Sequence, residues 1–280
     1  MKFIVEFENR VKKTIKDNKL FSKKDRILVA CSGGKDSTVA LYLLNKFGYN
    51  VEGLIVDLEI GNYSKINLEN IRKFCSVHNI KLHETSFRED FGYNKCNIEH
   101  ILRLKDPKVN SCSICGVLRR SMLNKKSREL GFDKIVTGHN LDDEAQAILM
   151  NFFRNTMSLQ SRLGPVSGNV KDKKFTPRVK PLYFCFEEDI KKYSQILKFE
   201  VLYDRCPCIV NSYRNKVRDL LNGLPNSRDV KENIVDNFLE ISPKLKKQHN
   251  INTGLLSCTV CGEPSSSGVC GSCHIIKKLN

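Results

Sequence analysis

No apolar run in the 280 residues approaches the roughly 20 that cross a bilayer, which excludes a helical membrane span. The opening Met1-Lys-Phe-Ile-Val-Glu-Phe-Glu-Asn-Arg10 alternates apolar and charged side chains and lacks a signal-peptide core, so a cytoplasmic location is expected. No internal repeat is present, which excludes a solenoid. Acidic residues are in short supply: 31 Asp and Glu face 47 Lys and Arg, a formal net charge of +16. Such a deficit serves general solubility or a polyanionic partner, and nucleic acid is the commonest of these. Clustering favours the partner. Residues 95–134 hold ten basic and four acidic side chains, and residues 162–180 hold six and one. The two commonest nucleotide-binding signatures are also missing. A Walker A loop needs glycine where Val29 stands and Ser or Thr where Asp36 stands. A dinucleotide fingerprint needs spaced glycines, and here Gly33 and Gly34 are adjacent.

What is present is Ile27-Leu-Val-Ala-Cys31 followed by Ser32-Gly-Gly-Lys-Asp-Ser37. The first five residues read as a buried strand, and Ser32 to Asp36 as a turn. Ser37 opens an apolar-periodic run to Phe47 that reads as a helix. A strand, a glycine turn and a helix N-terminus form an anion site, with Lys35 adding a cation and Ser32 and Ser37 adding hydroxyls. The hexapeptide resembles the pyrophosphate loop of ATP pyrophosphatases, which split ATP between the α and β phosphates and adenylate their substrate.

Strands and helices alternate after the loop. Strands are expected at Val51–Leu58, Lys81–Phe87 and Lys134–Thr137, and helices at Ile66–His78, Cys112–Leu130 and Leu141–Phe153. This order predicts an α/β, doubly wound parallel sheet whose ligands sit beyond the strand C-terminal ends. Ser32 to Ser37, Asp57 and Gly138 to Asp143 all fall there. Residues 1–24 are expected to be an amphipathic helical segment, one that could pair with a second subunit in a homodimer. Residues 25–205 are expected to form the catalytic domain and 206–250 a helical extension completing its site. Within these, residues 164–180 look irregular, Glu187–Lys198, Tyr213–Leu221 and Val230–Leu239 read as helices, and 242–257 reads as a polar linker.

The 12 cysteines fall into sets. Cys258-x-x-Cys261 and Cys270-x-x-Cys273 have the spacing of two knuckles closing on one tetrahedral Zn²⁺, so residues 255–280 are expected to be a small zinc ribbon folded by its metal. Cys112-x-x-Cys115 opens the basic helix, where the helix dipole, Arg119 and Arg120 would favour thiolates. By itself it is open to four readings: a redox pair, half a zinc site, a pair of cluster ligands, or a structural coincidence. Cys206-Pro-Cys208 stands apart from it. Cys31, Cys75, Cys96 and Cys185 read as small buried hydrophobes.

Cys112-Ser-Ile-Cys-Gly-Val-Leu-Arg-Arg120, Lys134-Ile-Val-Thr-Gly-His-Asn-Leu-Asp-Asp-Glu-Ala-Gln146, Arg162-Leu-Gly-Pro165, Pro177-Arg-Val-Lys-Pro181 and Cys206-Pro207 with Arg214 and Val217-Arg218 together resemble the TtuA group of tRNA 2-thiouridine synthetases. That group lies within the TtuA/TtcA family of the PP-loop ATP pyrophosphatase superfamily. The similarity covers most of residues 25–275. It implies a 4Fe-4S cluster on Cys112, Cys115 and Cys206 with one iron open for the transferred sulfur. It implies ATP with Mg²⁺ at Ala30, Ser32, Gly33, Gly34, Lys35, Asp36, Ser37, Asp57, Gly138, Asp142 and Asp143. It implies catalytic roles for Asp143, Arg119 and Lys35 beside the three cysteines, with tRNA and a sulfur donor, a ubiquitin-like thiocarboxylate protein or sulfide, as partners. Alternatives are 2-thiocytidine synthesis, the same thiolation by persulfide chemistry without a cluster, and a non-catalytic RNA-binding scaffold. The chain departs from the group's pattern in showing no N-terminal Cys/His zinc module. It also carries Asp57-Leu-Glu-Ile60 where Asp-Glu-Gly-Ile is usual, which puts Glu59 at a glycine position. Cys208 is an extra thiol that reads as a fourth ligand, a persulfide carrier or a bystander.

Overall fold

The computed structural model describes residues 1–167, 174–209, 212–249 and 256–279. Six strands form one sheet in the order β3-β2-β1-β4-β6-β5, parallel except for the edge pair β5–β6. Strand β1 (Arg26–Cys31) lies at the centre, and Ile27, Leu28 and Val29 are fully buried. A near-continuous apolar run is what a strand covered on both faces requires. From β1 the chain passes through α2 (Lys35–Lys46) to β2 (Asn50–Asp57), then through α3 (Gly61–Val77) to β3 (Leu82–Ser86). It returns by α4 (Phe87–Phe91), α5 (Lys95–Lys105) and α6 (Ser111–Glu129) to β4 (Lys134–Val136), on the other side of β1. The direction of winding therefore reverses between β1 and β4, which places a crevice at their C-terminal ends.

Helix α1 (Lys2–Asp17) precedes the sheet and is amphipathic as expected. Its apolar face is already consumed within the chain: Phe7, Val11 and Ile15 are buried, and Phe7 stacks on Tyr193 of α9 (Glu187–Ile196) at 4.7 Å. After β4 come α7 (Leu141–Phe153), a short α8 (Met157–Gln160), and the two-residue strands β5 (Val166–Ser167) and β6 (Arg178–Val179). Residues 168–173 of the segment expected to be irregular lie outside the described residues. Helices α10 (Tyr213–Asn222) and α11 (Ser227–Gln248) pack on α7 around Leu141, Ala145, Val217, Val235 and Phe238.

Three expectations need correction. Helix α2 starts at Lys35 rather than Ser37, because Gly33 at φ +75 completes the turn early and Gly34 caps the helix. Helix α5 was not anticipated; Asn94 caps it through its side chain, and Ile98 and Leu102 bury its inner face. Helix α11 continues through Pro243 to Gln248, so the first part of the expected linker is helical, while its residues 250–255 lie outside the described residues.

At the C-terminus the strands β7 (Leu256–Ser257) and β8 (Pro264–Ser265) form a hairpin, followed by α12 (Gly271–Lys277). This unit docks on α6: Ile275, Ile276 and Leu279 join the core that contains Leu118 and Met122, and Glu263 bridges Arg128 and Asn124. Among the described residues no helix is long and apolar enough to cross a membrane.

Candidate active site

The loop after β1 is stitched by its own hydroxyls. Ser32 N donates to Ser37 Oγ at 3.1 Å, Gly34 N to Ser32 Oγ at 3.3 Å, and Ser37 Oγ to Gly34 O at 3.2 Å. Gly33 approaches α3 so closely that a Cβ there would lie 2.5 Å from Asn67, besides its left-handed backbone. Lys35 Nζ pairs with Asp36 Oδ2 at 3.0 Å and with Glu187 Oε1 at 2.9 Å. Burial pulls its pKa down, but the two carboxylates outweigh this and hold it above the usual lysine value. Burial also lifts Asp36 above the usual carboxylate range, against the pull of Lys35.

The turn after β4 meets this loop backbone to backbone. A Cβ on Gly138 would stand 2.7 Å from Ser37 N and 2.8 Å from the carbonyl carbon of Asp36. Gly138→Ala is accordingly expected to cost about 1–3 kcal/mol of stability, as overpacking does, read as a fall in the urea midpoint at unchanged slope. Asn140 then caps α7: its Oδ1 accepts from Asp143 N at 3.0 Å, and its Nδ2 donates to Asp36 Oδ1 at 3.1 Å. Asp143 faces the crevice with Arg214 Nη1 3.3 Å from its Oδ1. Burial raises its pKa, but His139, Arg214 and Arg218 together outweigh burial and hold it below the usual range. The same surroundings pull His139 down to about 4, burial being the main cause.

Asp142 does not share that role. It is turned away from the crevice and buried, with its Oδ1 2.7 Å from Lys231 Nζ and its Oδ2 accepting from Glu187 N at 2.8 Å. The assignment of Asp142 to the nucleotide is therefore corrected: successive residues in the first turn of a helix point about 100° apart, and of these two carboxylates Asp143 lines the crevice while Asp142 does not.

Two adjoining cavities share Ala30, Ser32, Arg119 and Leu123. The larger, of about 450 Å³, is also lined by Asp36, Ser37, Gly138 and Asp143, and its walls carry Arg119, Arg120, Arg162, Arg178, Lys180 and Arg214. Among the described residues, buried Arg178 Nε has no hydrogen-bond partner, and burial beside Arg120 takes the Arg178 pKa down to about 10. Glu144 pairs with Lys180 and Asp143 with Arg214, and the close-packed arginines that remain on the wall favour an anion between them. The smaller cavity, of about 110 Å³, is lined by Asp57, Tyr63, Asn67 and Cys206 among others. Lys35, Gly33 and Gly34 shape the loop without lining either space. At the end of β2, Glu59 adopts φ +53, the conformation a glycine would take without strain. Asp57 Oδ1 accepts its N–H at 2.7 Å and Arg88 Nε holds its carboxylate at 2.8 Å, which offsets that strain.

Cys112 and Cys115 lie in the first turns of α6, capped by Asn110, and Cys206 precedes a 3-10 turn at Pro207–Ile209. The three thiols share one neighbourhood: Cys115 senses both Cys112 and Arg119, and Cys206 senses Cys115. The expectation that the helix N-terminus lowers their pKa values is corrected. Burial dominates and pushes Cys112 and Cys115 up, and it takes Cys206 to about 11, despite Lys95 and Arg214 near Cys112 and Arg119 near Cys115. Among the described residues only Cys258, Cys261, Cys270 and Cys273 bring their sulfur atoms within 4.8 Å of one another, as a single ion requires. Backbone N–H groups of Cys270 and Cys273 point at Cys258 Sγ (3.3 Å) and Cys270 Sγ (3.4 Å), as they do toward thiolate ligands. The trio does not meet that limit, and this wider, three-thiol donor set suits a cluster of several irons better than one ion.

Sequence reasoning missed Glu187, Asn140 and Lys231. Asn140 had a signal, standing three residues before Asp143 in capping-box spacing. Glu187 and Lys231 had none, being 152 residues from Lys35 and 89 from Asp142.

A family model described as "PP-loop domain" matches residues 4–224. A tRNA-5-methyluridine(54) 2-sulfurtransferase of Pyrococcus horikoshii is 35% identical over 272 residues, covering 95% of this chain and 83% of the relative. Cytoplasmic tRNA 2-thiolation protein 1 of Caenorhabditis elegans is 32% identical, covering 99% and 74%. Among solved structures, U34-tRNA thiolase NcsA from Methanococcus maripaludis with its 4Fe-4S cluster superposes with a TM-score of 0.80 at 29% identity, over 99% of this chain and 88% of that one.

Proposed function

The chain belongs to the PP-loop family of tRNA thiolation proteins, and on that premise we propose that it is an ATP-dependent tRNA sulfurtransferase making 2-thiouridine. The observation that carries this reading is the sharing of Ser32 and Arg119 by two cavities, one reaching the cation-walled crevice and the other reaching Cys206. A phosphate loop and a sulfur-bearing cysteine thus open onto adjoining spaces.

The uracil 2-oxygen is a poor leaving group. Its attack on the α-phosphate of ATP forms a C–O–P link and expels pyrophosphate. Sulfur then adds to C2, the C–O bond breaks and AMP departs. Lys35 and the first-turn N–H groups of α2 take up the charge on the departing pyrophosphate. Asp143, kept ionised by Arg214 and Arg218, and Asp36 are the carboxylates that would hold Mg²⁺ beside the phosphates. The arginine wall neutralises phosphate charge, from ATP and from a tRNA arm entering the crevice. Cys112, Cys115 and Cys206 would hold a 4Fe-4S cluster, which supplies an open iron for the sulfur. Cys258, Cys261, Cys270 and Cys273 would hold Zn²⁺ and thereby fasten the ribbon to α6. The relatives are named for uridine positions, which favours that base over cytidine. A cytoplasmic location is part of the same reading.

Mass spectrometry of tRNA nucleosides from a deletion strain tests it. Loss of 2-thiouridine, restored by the wild-type gene and not by Cys112→Ser or Cys206→Ser, is the expected result. An unchanged nucleoside profile in the deletion would overturn the reading.

A further inference from the structure

Two thiols outside the cluster set stand beside it. Cys96 is the second residue of α5 and is exposed; Cys208 sits in the 3-10 turn and is half-buried; both are free. The Cys208 thiol adjoins the Cys96 thiol and the Lys95 ammonium, and behind it lies Cys206. Toward Cys112 it turns its carbonyl instead, 4.0 Å from that sulfur. Lys95 is only 4% exposed and is fixed by Glu99, which Ser111 and Arg103 hold at 2.8 Å each. A line of sulfur atoms therefore runs from solvent at Cys96, through Cys208 beside a fixed cation, to Cys206 at the smaller cavity.

From this juxtaposition we propose that Cys96 and Cys208 form a dithiol that accepts a sulfane sulfur at the surface and releases it as sulfide beside the cluster cysteines. The inference rests on the thiolation reading and adds how sulfur arrives. Cys96 thiolate attacks the terminal sulfur of a persulfide donor, R–S–SH. The donor S–S bond breaks, R–S⁻ leaves, and Cys96 carries the persulfide with no net redox change. Cys208 takes the terminal sulfur by the same exchange, regenerating the Cys96 thiol. Cys96 then attacks Cys208 Sγ: the Sγ–Sγ bond forms, the persulfide bond breaks, and HS⁻ leaves next to Lys95, whose ammonium offsets its charge. The two cysteine sulfurs each give up one electron and the sulfane sulfur gains both. A dithiol reductant resets the disulfide. Cys96, expected from the sequence to be a buried hydrophobe, is instead the solvent end of this line.

The test uses the full-length, cluster-loaded protein under anaerobic conditions with glutathione persulfide as donor. Released sulfide is measured, and peptides are mapped by mass spectrometry after alkylation. Wild type should release sulfide in a single turnover and yield a Cys96–Cys208 cross-linked peptide. Cys96→Ser and Cys208→Ser should each lower that release by about tenfold or more and yield no cross-link. Both variants should keep their iron and thiolate tRNA normally when free sulfide is supplied. Absence of the cross-link in wild type, or wild-type sulfide release by either variant, would sink the dithiol. So would loss of iron from Cys208→Ser, which would make Cys208 a cluster ligand. Failure of wild type to thiolate tRNA with free sulfide would instead remove the thiolation reading, leaving sulfide release and cross-linking to decide the dithiol on their own.

Discussion

Lys231→Ala is expected to lower the unfolding free energy by about 3–5 kcal/mol, because it strands the Asp142 carboxylate in the interior. For a chain of this size that is a fall in melting temperature on the order of 10 °C. The Lys231–Asp142 pair is 7% and 9% exposed at its side chains, so water cannot replace the lost partner. Lys231 Nζ also reaches Asn222 Oδ1 at 2.6 Å, which ties α11, the end of α10 and the start of α7 together. The double variant Asp142→Asn with Lys231→Met separates the two causes. Asparagine keeps the acceptor for Glu187 N–H and no charge is left unpaired, so much of the lost stability should return. If the double variant is as unstable as Lys231→Ala, packing of the lysine stem rather than the orphaned charge is responsible. The consequence reaches the crevice, because Asp142 holds the backbone of Glu187, and Glu187 holds Lys35.

That linkage marks the boundary of what the sequence can carry. The central strands were legible because Ile27 to Val29 and Leu54 to Val56 are apolar on both faces, a pattern only a covered parallel sheet needs. The phosphate loop, the Gly138 turn and the ribbon cysteines were legible because their chemistry is local: a glycine contact, a cap, a fixed spacing. Strands β5 and β6 have two residues each, too few to show a period. Helix α5 did carry a helical signal, Ile98, Ile101 and Leu102 at i, i+3 and i+4, but one confined to little more than a turn. Asp142 and Asp143 are indistinguishable as letters; a lysine in another helix holds Asp142 inside and leaves Asp143 to line the crevice. The thiol pKa values at α6 went the other way from expectation for a similar reason. Dipole and arginines are visible in sequence, whereas burial, the larger effect, is a property of the assembled layers.

Lys35→Met should reduce the rate of tRNA adenylation by about 10²–10³ while leaving the fold intact, as removal of a preorganised charge-stabilising donor does. Two effects contribute. Lys35 no longer meets the charge that builds on the departing pyrophosphate. Asp36 and Glu187, both now held within 3.0 Å of its ammonium, are left beside the phosphate loop without their counter-ion. The first effect belongs to the transition state and lowers kcat; the second opposes ground-state binding and raises KM for ATP. Combining Lys35→Met with Glu187→Gln removes one of the two stranded charges. KM should then move back toward the wild-type value while kcat stays low. Pyrophosphate release measured against ATP concentration reads both constants. Recovery of kcat in the double variant would show that Lys35 serves only to neutralise its carboxylate neighbours. An unchanged KM in the single variant would show that those carboxylates do not face the phosphates at all. Arginine at position 35 supplies the charge on a planar fork rather than a compact ammonium, and between Asp36 and Glu187 it should restore binding better than turnover.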